Sequence, residues 1–380
     1  MGNRVAVLDE EQADDPVSPS TTGGSQETMM TKAPDPIRSR VRRALVGVSV
    51  VLVAAACATG TTGRQPGAAV STPDAPLTQQ LRSAVSSAGA MTHLQALQKI
   101  ADENGGNRAA GTSGYDASVD YVAGVLRGAG FETTTPTYQS GDHDGVARQA
   151  GRNVIAQSRT GDPSRIVMIG AHLDSVPEGP GIVDNGSGVA TLLEIATRLG
   201  ADPATTNTVR FAFFGNEEDG AEGSTGYVEG LSSDDREKIK LYLNIDMVAS
   251  PNGGYLVQGG VGDDDETAGP SGSATIGRVL ADQLTKAGAS APEIIEFVGD
   301  DESAFVEAGI PAGGAENGDA KRKTAEQARI WGGQAGQVFD RCYHQACDRI
   351  DNVNHEVLGR YLTATAGTLA HFATSANGVR

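Results

Sequence analysis

Helical and strand-like patterns alternate along the chain from about Leu77 to the C-terminus. Apolar residues at helical spacing predict helices over residues 77–103, 113–130, 188–199, 224–230, 273–287, 302–308 and 355–372. Short apolar runs between turn residues predict strands over residues 153–157, 165–171, 208–214, 240–248, 255–258, 293–297 and 310–312. This alternation predicts an α/β fold, a single domain over residues 77–380 with a mixed, mainly parallel sheet sandwiched by helices. Residues 314–341 lack a periodic pattern and predict a long loop.

The N-terminal part has the pattern of an export signal. Four arginines between residues 38 and 43 precede an uncharged, mostly apolar run over residues 44–56. The run is shorter than the roughly 20 residues that span a membrane, and it fits the apolar core of a signal over residues 29–56. Cys57 follows directly, as in a bacterial lipoprotein signal. We therefore expect lipidation at Cys57 and attachment to the outer face of the cytoplasmic membrane, with ordinary cleavage and secretion as the alternative.

The flanking segments and the remaining cysteines fit this interpretation. Residues 1–28 are either a cytoplasmic extension or precede a true start at Met29 or Met30, and the Gly-, Thr- and Pro-rich residues 57–76 predict a flexible tether. Cys342 and Cys347 are close enough to form a disulfide in an oxidising compartment, the alternative being two reduced thiols.

Composition narrows the classes of partner. The formal net charge is −18, and so acidic a surface repels phosphate backbones, which argues against nucleic acid as a partner. Glycine is abundant, with 50 residues, but without a three-residue period, so a loop-rich enzyme fits and a collagen does not. We expect a monomer.

Five residues with metal-binding side chains recur at strand ends or in the loops that follow them. They are His172, Asp184, Glu218, Asp246 and His344. Two histidines and three carboxylates can hold two zinc ions if one carboxylate is shared, and Glu217, directly before Glu218, can act as a base on water. Ligands of such sheets bind beyond the carboxyl ends of the strands, where these residues are expected.

Several of these segments also have an ordinary structural explanation when taken alone. The histidine of IGAHLDS can be structural, Asp184 in GIVDNGSG can cap the helix that follows, and the glutamates of FFGNEEDG can form a solvated acidic turn. Asp246 in NIDMV interrupts an apolar strand end, where a carboxylate is costly unless it is paired or metal-bound. Asp174, two residues after His172, can orient that ring through its other nitrogen.

Together, and in this order, the segments resemble the co-catalytic zinc aminopeptidases of metallopeptidase family twenty-eight, in particular the secreted bacterial leucyl-type enzymes. The resemblance runs from about Leu77 to the C-terminus and includes WGGQAGQVFDRCYHQACD around His344. It implies a zinc-exopeptidase-like fold, two Zn²⁺ per chain and peptide substrates with a free N-terminus.

The resemblance also implies a role for each candidate residue. His172 and Asp246 look like ligands of one zinc, Glu218 and His344 look like ligands of the other, and Asp184 would bridge the two.

Two further residues take catalytic roles by the same resemblance. Glu217 would be the general base, and Tyr343 would hydrogen-bond the oxyanion of the tetrahedral intermediate. The substrate's α-amine would lie near Glu217 and Asp246. The family also has a cis peptide after the bridging aspartate, here Asp184-Asn185.

The chain departs from the family pattern at two places. The stretch VGDD at residues 298–301 stands where secreted relatives often carry an arginine, and residues 358–365 offer no carboxylate for the calcium that relatives bind there. The rival functions are a carboxypeptidase or glutaminyl cyclase on the same fold, and a metal-binding lipoprotein without catalysis.

Overall fold

An eight-stranded sheet runs through the part of the chain that the structure describes, with helices packed on both of its faces. This computed structural model describes residues 75–139, 142–143, 146–147, 151–260, 268–376 and 378. The export signal, most of the tether and Cys57 lie outside the described residues. Within them, no helix combines the length and the apolar character that crossing a membrane requires.

The helices fall between the strands along most of the chain. They are α1 (Pro76–Ala84), α2 (Ser87–Glu103), α3 (Ser113–Gly128), α4 (Gly186–Leu199), α5 (Glu222–Gly230), α6 (Ser233–Lys238), α7 (Ser273–Lys286), α8 (Glu302–Glu307), α9 (Ala325–Trp331) and α10 (His355–Thr374), with a 3₁₀ turn at Ile350–Asn352.

The strands include an eight-membered set and two small pairs. They are β1 (Glu132–Thr134), β2 (Thr137–Tyr138), β3 (Asp142–His143), β4 (Val146–Ala147), β5 (Gly151–Arg152), β6 (Val154–Gln157), β7 (Asp162–His172), β8 (Asn207–Phe214), β9 (Ile239–Ile245), β10 (Leu256–Gln258), β11 (Glu293–Ile295) and β12 (Ala312–Glu316).

The order of the strands makes the centre of the sheet parallel. The order is β1-β6-β8-β7-β9-β12-β10-β11, and β8, β7, β9 and β12 are mutually parallel. The β1, β6 and β10 strands pair antiparallel with their inner neighbours. Because the four central strands run in one direction, their carboxyl ends share one edge of the sheet, where ligands bind in such folds. The predicted fold class is confirmed.

Alternation along the central strands supplies two separate cores. Val167, Ile169 and Ala171 of β7 face the larger core, which α1 to α4, α7 and α10 cover. Ile166 and Met168 face a smaller core on the other side of the sheet, which includes Phe305 of α8. Burial on both faces explains why the central strands are nearly continuous apolar runs.

Two patterns differ from the predicted elements. The predicted helix over residues 77–103 is two helices, because the Ser86 hydroxyl accepts from the Gly89 N–H at 3.1 Å and begins α2. The predicted loop over residues 314–341 instead contains the end of β12 and the helix α9, which a Thr324–Gln327 capping box begins. The sequence of β12, AGGAE, has little strand propensity. It forms a strand because β9 and β10 pair with it.

Candidate active site

Three of the predicted metal-binding segments meet at the carboxyl edge of the parallel strands. His172 is the last residue of β7, Glu217 and Glu218 follow β8, and Asp246 follows β9 directly. Asp184 lies just before α4, and its peptide bond to Asn185 is cis, as the family resemblance implies.

The five candidate ligands form two groups that share Asp184. Asp184 Oδ1 lies 3.1 Å from His172 Nε2, which is 3.5 Å from Asp246 Oδ2. The other carboxylate oxygen, Asp184 Oδ2, lies 3.3 Å from His344 Nε2, which is 2.9 Å from Glu218 Oε2. In each group of three, the candidate ligand atoms lie within 4.8 Å of one another. This arrangement offers donor atoms for two adjacent cations, with one carboxylate common to both groups.

Burial leaves carboxylate oxygens of this cluster without partners. Asp246 is 7% exposed, and neither its Oδ1 nor Oε1 of Glu218 has a hydrogen-bond partner within the described part of the chain. A buried unpaired carboxylate is costly, and a cation offsets that cost. Histidine nitrogen and carboxylate oxygen are the donors that zinc takes in proteins, so the residues present fit this metal.

The pKa values show the same excess of negative charge. Burial raises the pKa of Asp246, and burial together with Asp184 raises the pKa of Glu218 to about 7. For Asp184, burial opposes ionisation, but hydrogen bonds with His172 and His344 lower its pKa to about 2. Hydrogen bonds with Asp184 and Glu218 in turn raise the pKa of His344 to about 10. The negative charge of the carboxylates around the two histidines is therefore only partly neutralised. A bound cation would neutralise more of it.

The structure decides against two of the ordinary explanations. Asn185, not Asp184, is the N-cap of α4, since its Oδ1 accepts from the Gly188 N–H at 2.9 Å. The side chains of Glu217 and Glu218 are only 16% and 9% exposed, so the acidic segment is no solvated turn there.

Asp174 connects the first histidine to the two glutamates. Its Oδ1 lies 3.6 Å from Nδ1 of His172, and its two oxygens accept from the backbone N–H groups of Glu217, at 3.2 Å, and Glu218, at 3.4 Å. One carboxylate thereby positions the neighbouring acidic segment and lies beside the ring nitrogen of His172, where the partners of metal-binding histidines are commonly found.

Two buried side chains that sequence reasoning missed hold the loop of Asp184. Asn185 donates through Nδ2 to the Ile245 carbonyl at 2.9 Å and so joins this loop to the strand before Asp246. The Arg108 guanidinium, fully buried, donates to the carbonyls of Leu173, Pro180 and Gly181. Arg108 had no signal in the sequence, because its partners lie 65 to 73 residues away.

A third missed residue, Asp348, joins the loop of Asp184 to that of His344. Its carboxylate accepts from the Val183 N–H at 2.8 Å and from the Asp184 N–H at 3.0 Å. Asp348 directly follows Cys347, and a disulfide joins Cys347 to Cys342 in the structure. His344 lies inside this short closed loop with φ of 56°, in the left-handed region. The disulfide and the hydrogen bonds of Asp348 together keep His344 close to Asp184.

Glu217 and Tyr343 lie beside the metal-binding cluster. Glu217 Oε2 is 3.9 Å from His172 Nε2, and burial raises the pKa of this carboxyl well above its usual range. The ring of Tyr343 stacks on that of His344 with 3.8 Å between centroids. Burial raises the pKa of the Tyr343 phenol, which therefore stays a hydrogen-bond donor at neutral pH.

The candidate ligands, Glu217 and Tyr343 border one cavity of about 170 Å³. Besides the five candidate ligands, Glu217 and Tyr343, its walls include Met247, Val298, Asp300, Glu316, Asp319 and Lys321. Pockets for drug-sized ligands measure about 300–1,000 Å³, so this cavity suits a single residue of a substrate rather than a longer segment.

Comparison with known protein families identifies the family of this chain. Residues 153–369 match peptidase family M28. The chain belongs to this family. The matched region includes every candidate ligand, Glu217 and Tyr343.

Two curated relatives of this M28 chain cover most of it. Leupeptin-inactivating enzyme 1 of Streptomyces exfoliatus is 44% identical over 79% of the chain, which spans 62% of that enzyme's length. LpqL of Mycobacterium tuberculosis, named a probable lipoprotein aminopeptidase, is 33% identical over 85% of the chain and 92% of its own length.

Solved structures share the fold of the M28 chain. A zinc aminopeptidase from Bacillus subtilis superposes with a TM-score of 0.61 at 17% identity, covering 77% of this chain and 96% of that one. A glutaminyl cyclase from Porphyromonas gingivalis gives 0.57 at 21% identity, covering 75% and 98%. At these identities the likeness shows the fold alone. The predicted family is confirmed, and with it the prediction that the chain is a hydrolase.

Proposed function

We propose that the chain is an exported aminopeptidase that holds two zinc ions and hydrolyses the N-terminal bond of peptides. The observation that carries the proposal is the position of Asp184 between two groups of zinc-type donors, next to a cavity for one residue. The names of the curated relatives support the aminopeptidase activity.

The proposed ligand sets follow the two groups. His172 and Asp246 would bind one zinc, Glu218 and His344 the other, and Asp184 both. When bound, zinc supplies Lewis-acid polarisation of a carbonyl oxygen and makes water more acidic.

The chain's own residues would provide proton transfer and stabilise developing charge. Glu217 Oε2 faces the cluster, and its raised pKa suits a base that takes a proton from the attacking water and gives it to the leaving amine. The Tyr343 phenol would donate a hydrogen bond to the substrate's carbonyl oxygen as negative charge develops on it. Asp174 keeps Glu217 in place through the backbone N–H.

Substrate orientation separates an aminopeptidase from its rivals. The resemblance places a peptide's α-ammonium near Glu217 and Asp246, whose carboxylate oxygens can accept hydrogen bonds from it, whereas a free C-terminal carboxylate has no proton to donate to them. A glutaminyl cyclase shares the fold, so an activity assay is needed to separate these two functions.

We expect hydrolysis of aminoacyl-p-nitroanilides, and loss of that activity after chelation and its return on adding zinc. Zinc at 100 times its dissociation constant stabilises by about 2.7 kcal/mol, which raises the Tm of a domain of this size by roughly 4 °C. Kinetic assays with metal analysis check the dependence of activity on zinc, and calorimetry checks the rise in Tm. Turnover of C-terminal free peptides or cyclisation of N-terminal glutamine, without release of N-terminal residues, would overturn the proposal.

Export with a lipid at Cys57 is the second part of the proposal. Its support is the signal-like sequence of residues 29–56 together with the lipoprotein name of the relative LpqL. We expect the mature chain in a membrane fraction to start at Cys57 and to carry the mass of attached acyl chains. A Cys57→Ser variant should be released from membranes, and an unmodified native N-terminus at another residue would contradict lipidation.

A further inference from the structure

The cavity beside the metal-binding cluster has an acidic wall that the proposed mechanism does not use. Asp300, Glu316 and Asp319 all border it. Glu316 is 5% exposed, and its Oε2 has no hydrogen-bond partner within the residues that the structure describes. Asp300 accepts one hydrogen bond, from Gln258 Nε2 at 3.0 Å. A buried carboxylate oxygen without a partner is costly, so this wall is suited to a cationic group.

The position of Glu316 relative to the reaction centre follows from the sheet register. Glu316 ends β12, and the preceding Ala315 pairs with Ile245, the residue before Asp246. The Asp246 N–H donates to the Ala315 carbonyl at 3.0 Å, and the Asn317 N–H donates to the Met247 carbonyl at 2.8 Å. These bonds hold the backbone of Glu316 on both sides, beside that of the proposed ligand Asp246. The backbone of Glu316 is therefore fixed next to that of the proposed ligand.

Charge on this wall is not cancelled by its neighbours. Two zinc ions would offset the four carboxylates of Asp184, Glu217, Glu218 and Asp246. Lys321 Nζ lies 3.9 Å from Asp319 Oδ2. Burial raises the pKa of Glu316 to about 7, although the nearby charge of Lys321 lowers it, and burial raises the pKa of Asp300 well above its usual range. A cation bound between these two carboxyls would favour their ionised forms.

A further metal ion does not fit the remaining pair. Among the described residues, the groups able to hold a metal ion do not include Asp300 or Glu316. Two carboxyl groups can instead accept hydrogen bonds from an ammonium or guanidinium group. Met247 and Val298 on the same cavity wall offer apolar contact for an aliphatic stem that ends in such a charge.

We propose that this wall receives the side chain of a basic N-terminal residue, lysine or arginine, with Glu316 and Asp300 as acceptors for its charged end. The proposal rests on the aminopeptidase function and names its substrate class. The resemblance to leucyl-type enzymes implies a large apolar residue at this place instead, so the two expectations can be separated by experiment.

The experiment compares lysine with norleucine, which has the same carbon chain but lacks the charged amine at its end. For the wild-type enzyme, kcat/KM for lysyl-p-nitroanilide should exceed that for norleucyl-p-nitroanilide by about 10–100-fold, the range of a hydrogen bond to a charged group. Glu316→Gln should remove at least about tenfold of that preference, while norleucine hydrolysis stays within about twofold. Free L-lysine should likewise inhibit more strongly than L-norleucine, and the variant should lose this difference.

The controls separate this proposal from the one on which it depends. Glu307→Gln removes an exposed carboxylate on α8 and should leave both substrates unchanged. Asp300→Asn is a second test and should reduce the lysine preference in the same direction, even if Glu316→Gln lowers the Tm. Equal effects on lysine and norleucine would mean that Glu316 binds the α-ammonium or acts only structurally, and would overturn the proposal with the aminopeptidase function intact. No release of any N-terminal residue would instead overturn the proposed function.

Discussion

Replacing Glu217 by glutamine should lower kcat for aminoacyl-p-nitroanilides by about 10²–10⁴-fold, the range of general-base catalysis, without loss of zinc. The reason is geometric, because Glu217 borders the cluster but belongs to neither group of candidate ligands. The amide has the same shape but cannot take a proton from water. Steady-state kinetics and metal analysis of the same preparation measure the two effects separately.

The matched control for this variant is its neighbour in the same acidic segment. Asp219 is exposed, and Asp219→Asn should leave kcat within about twofold of the wild-type value. If Glu217→Gln keeps full turnover, Glu217 is not the base. If the variant loses zinc together with activity, its carboxylate is a metal ligand instead.

Replacing Asp184 by asparagine should lower the bound zinc below two ions per chain and lower kcat/KM by more than about 100-fold. Removing a residue that only supports a metal ligand costs at most about 100-fold, so a larger loss indicates that Asp184 is itself a ligand. Asp184 belongs to both groups of candidate ligands, with one carboxylate oxygen toward His172 and the other toward His344. Loss of its charge therefore weakens both sites at once. Zinc titration followed by calorimetry, with activity measured at each metal ratio, checks the prediction.

Asp348→Asn is the comparison variant, for which we expect a smaller loss of metal affinity than for Asp184→Asn. Asp348 binds the backbone of Val183 and Asp184 but is in neither candidate ligand group, so its loss should cost about 10–100-fold in metal affinity while two ions still bind. Two zinc ions retained with unchanged affinity in Asp184→Asn would contradict the shared carboxylate.

The segments of the candidate site were predictable because each is local. His172 and Asp246 stand at the ends of apolar strand patterns, and the carboxyl ends of parallel strands meet at one edge of a sheet. The strand over residues 208–214 was predicted almost to its ends, since its apolar run is buried on both faces. Such patterns need only the neighbours in the chain to be recognised.

The supports of the site were not predictable for the opposite reason. The bonds from Asp348 to the backbone of Val183 and Asp184 cross about 165 residues, and those from Arg108 cross 65 to 73. Glu316 belongs to AGGAE, a segment with little strand propensity that pairs with β9 and β10 only in the folded sheet. Its place beside Asp246 is a property of strand register, which no local pattern contains.

The sequence by itself determined the alternation of helices and strands, the family and the set of residues able to bind metal. Periodicity and side-chain chemistry are both carried by short stretches of chain. Only the tertiary structure decided that Asp184 lies between two groups of donors, that Asn185 rather than Asp184 caps α4, and that Glu316 borders the cavity. These facts depend on which distant segments pack together, and packing is decided by burial over the whole sheet rather than within any one segment.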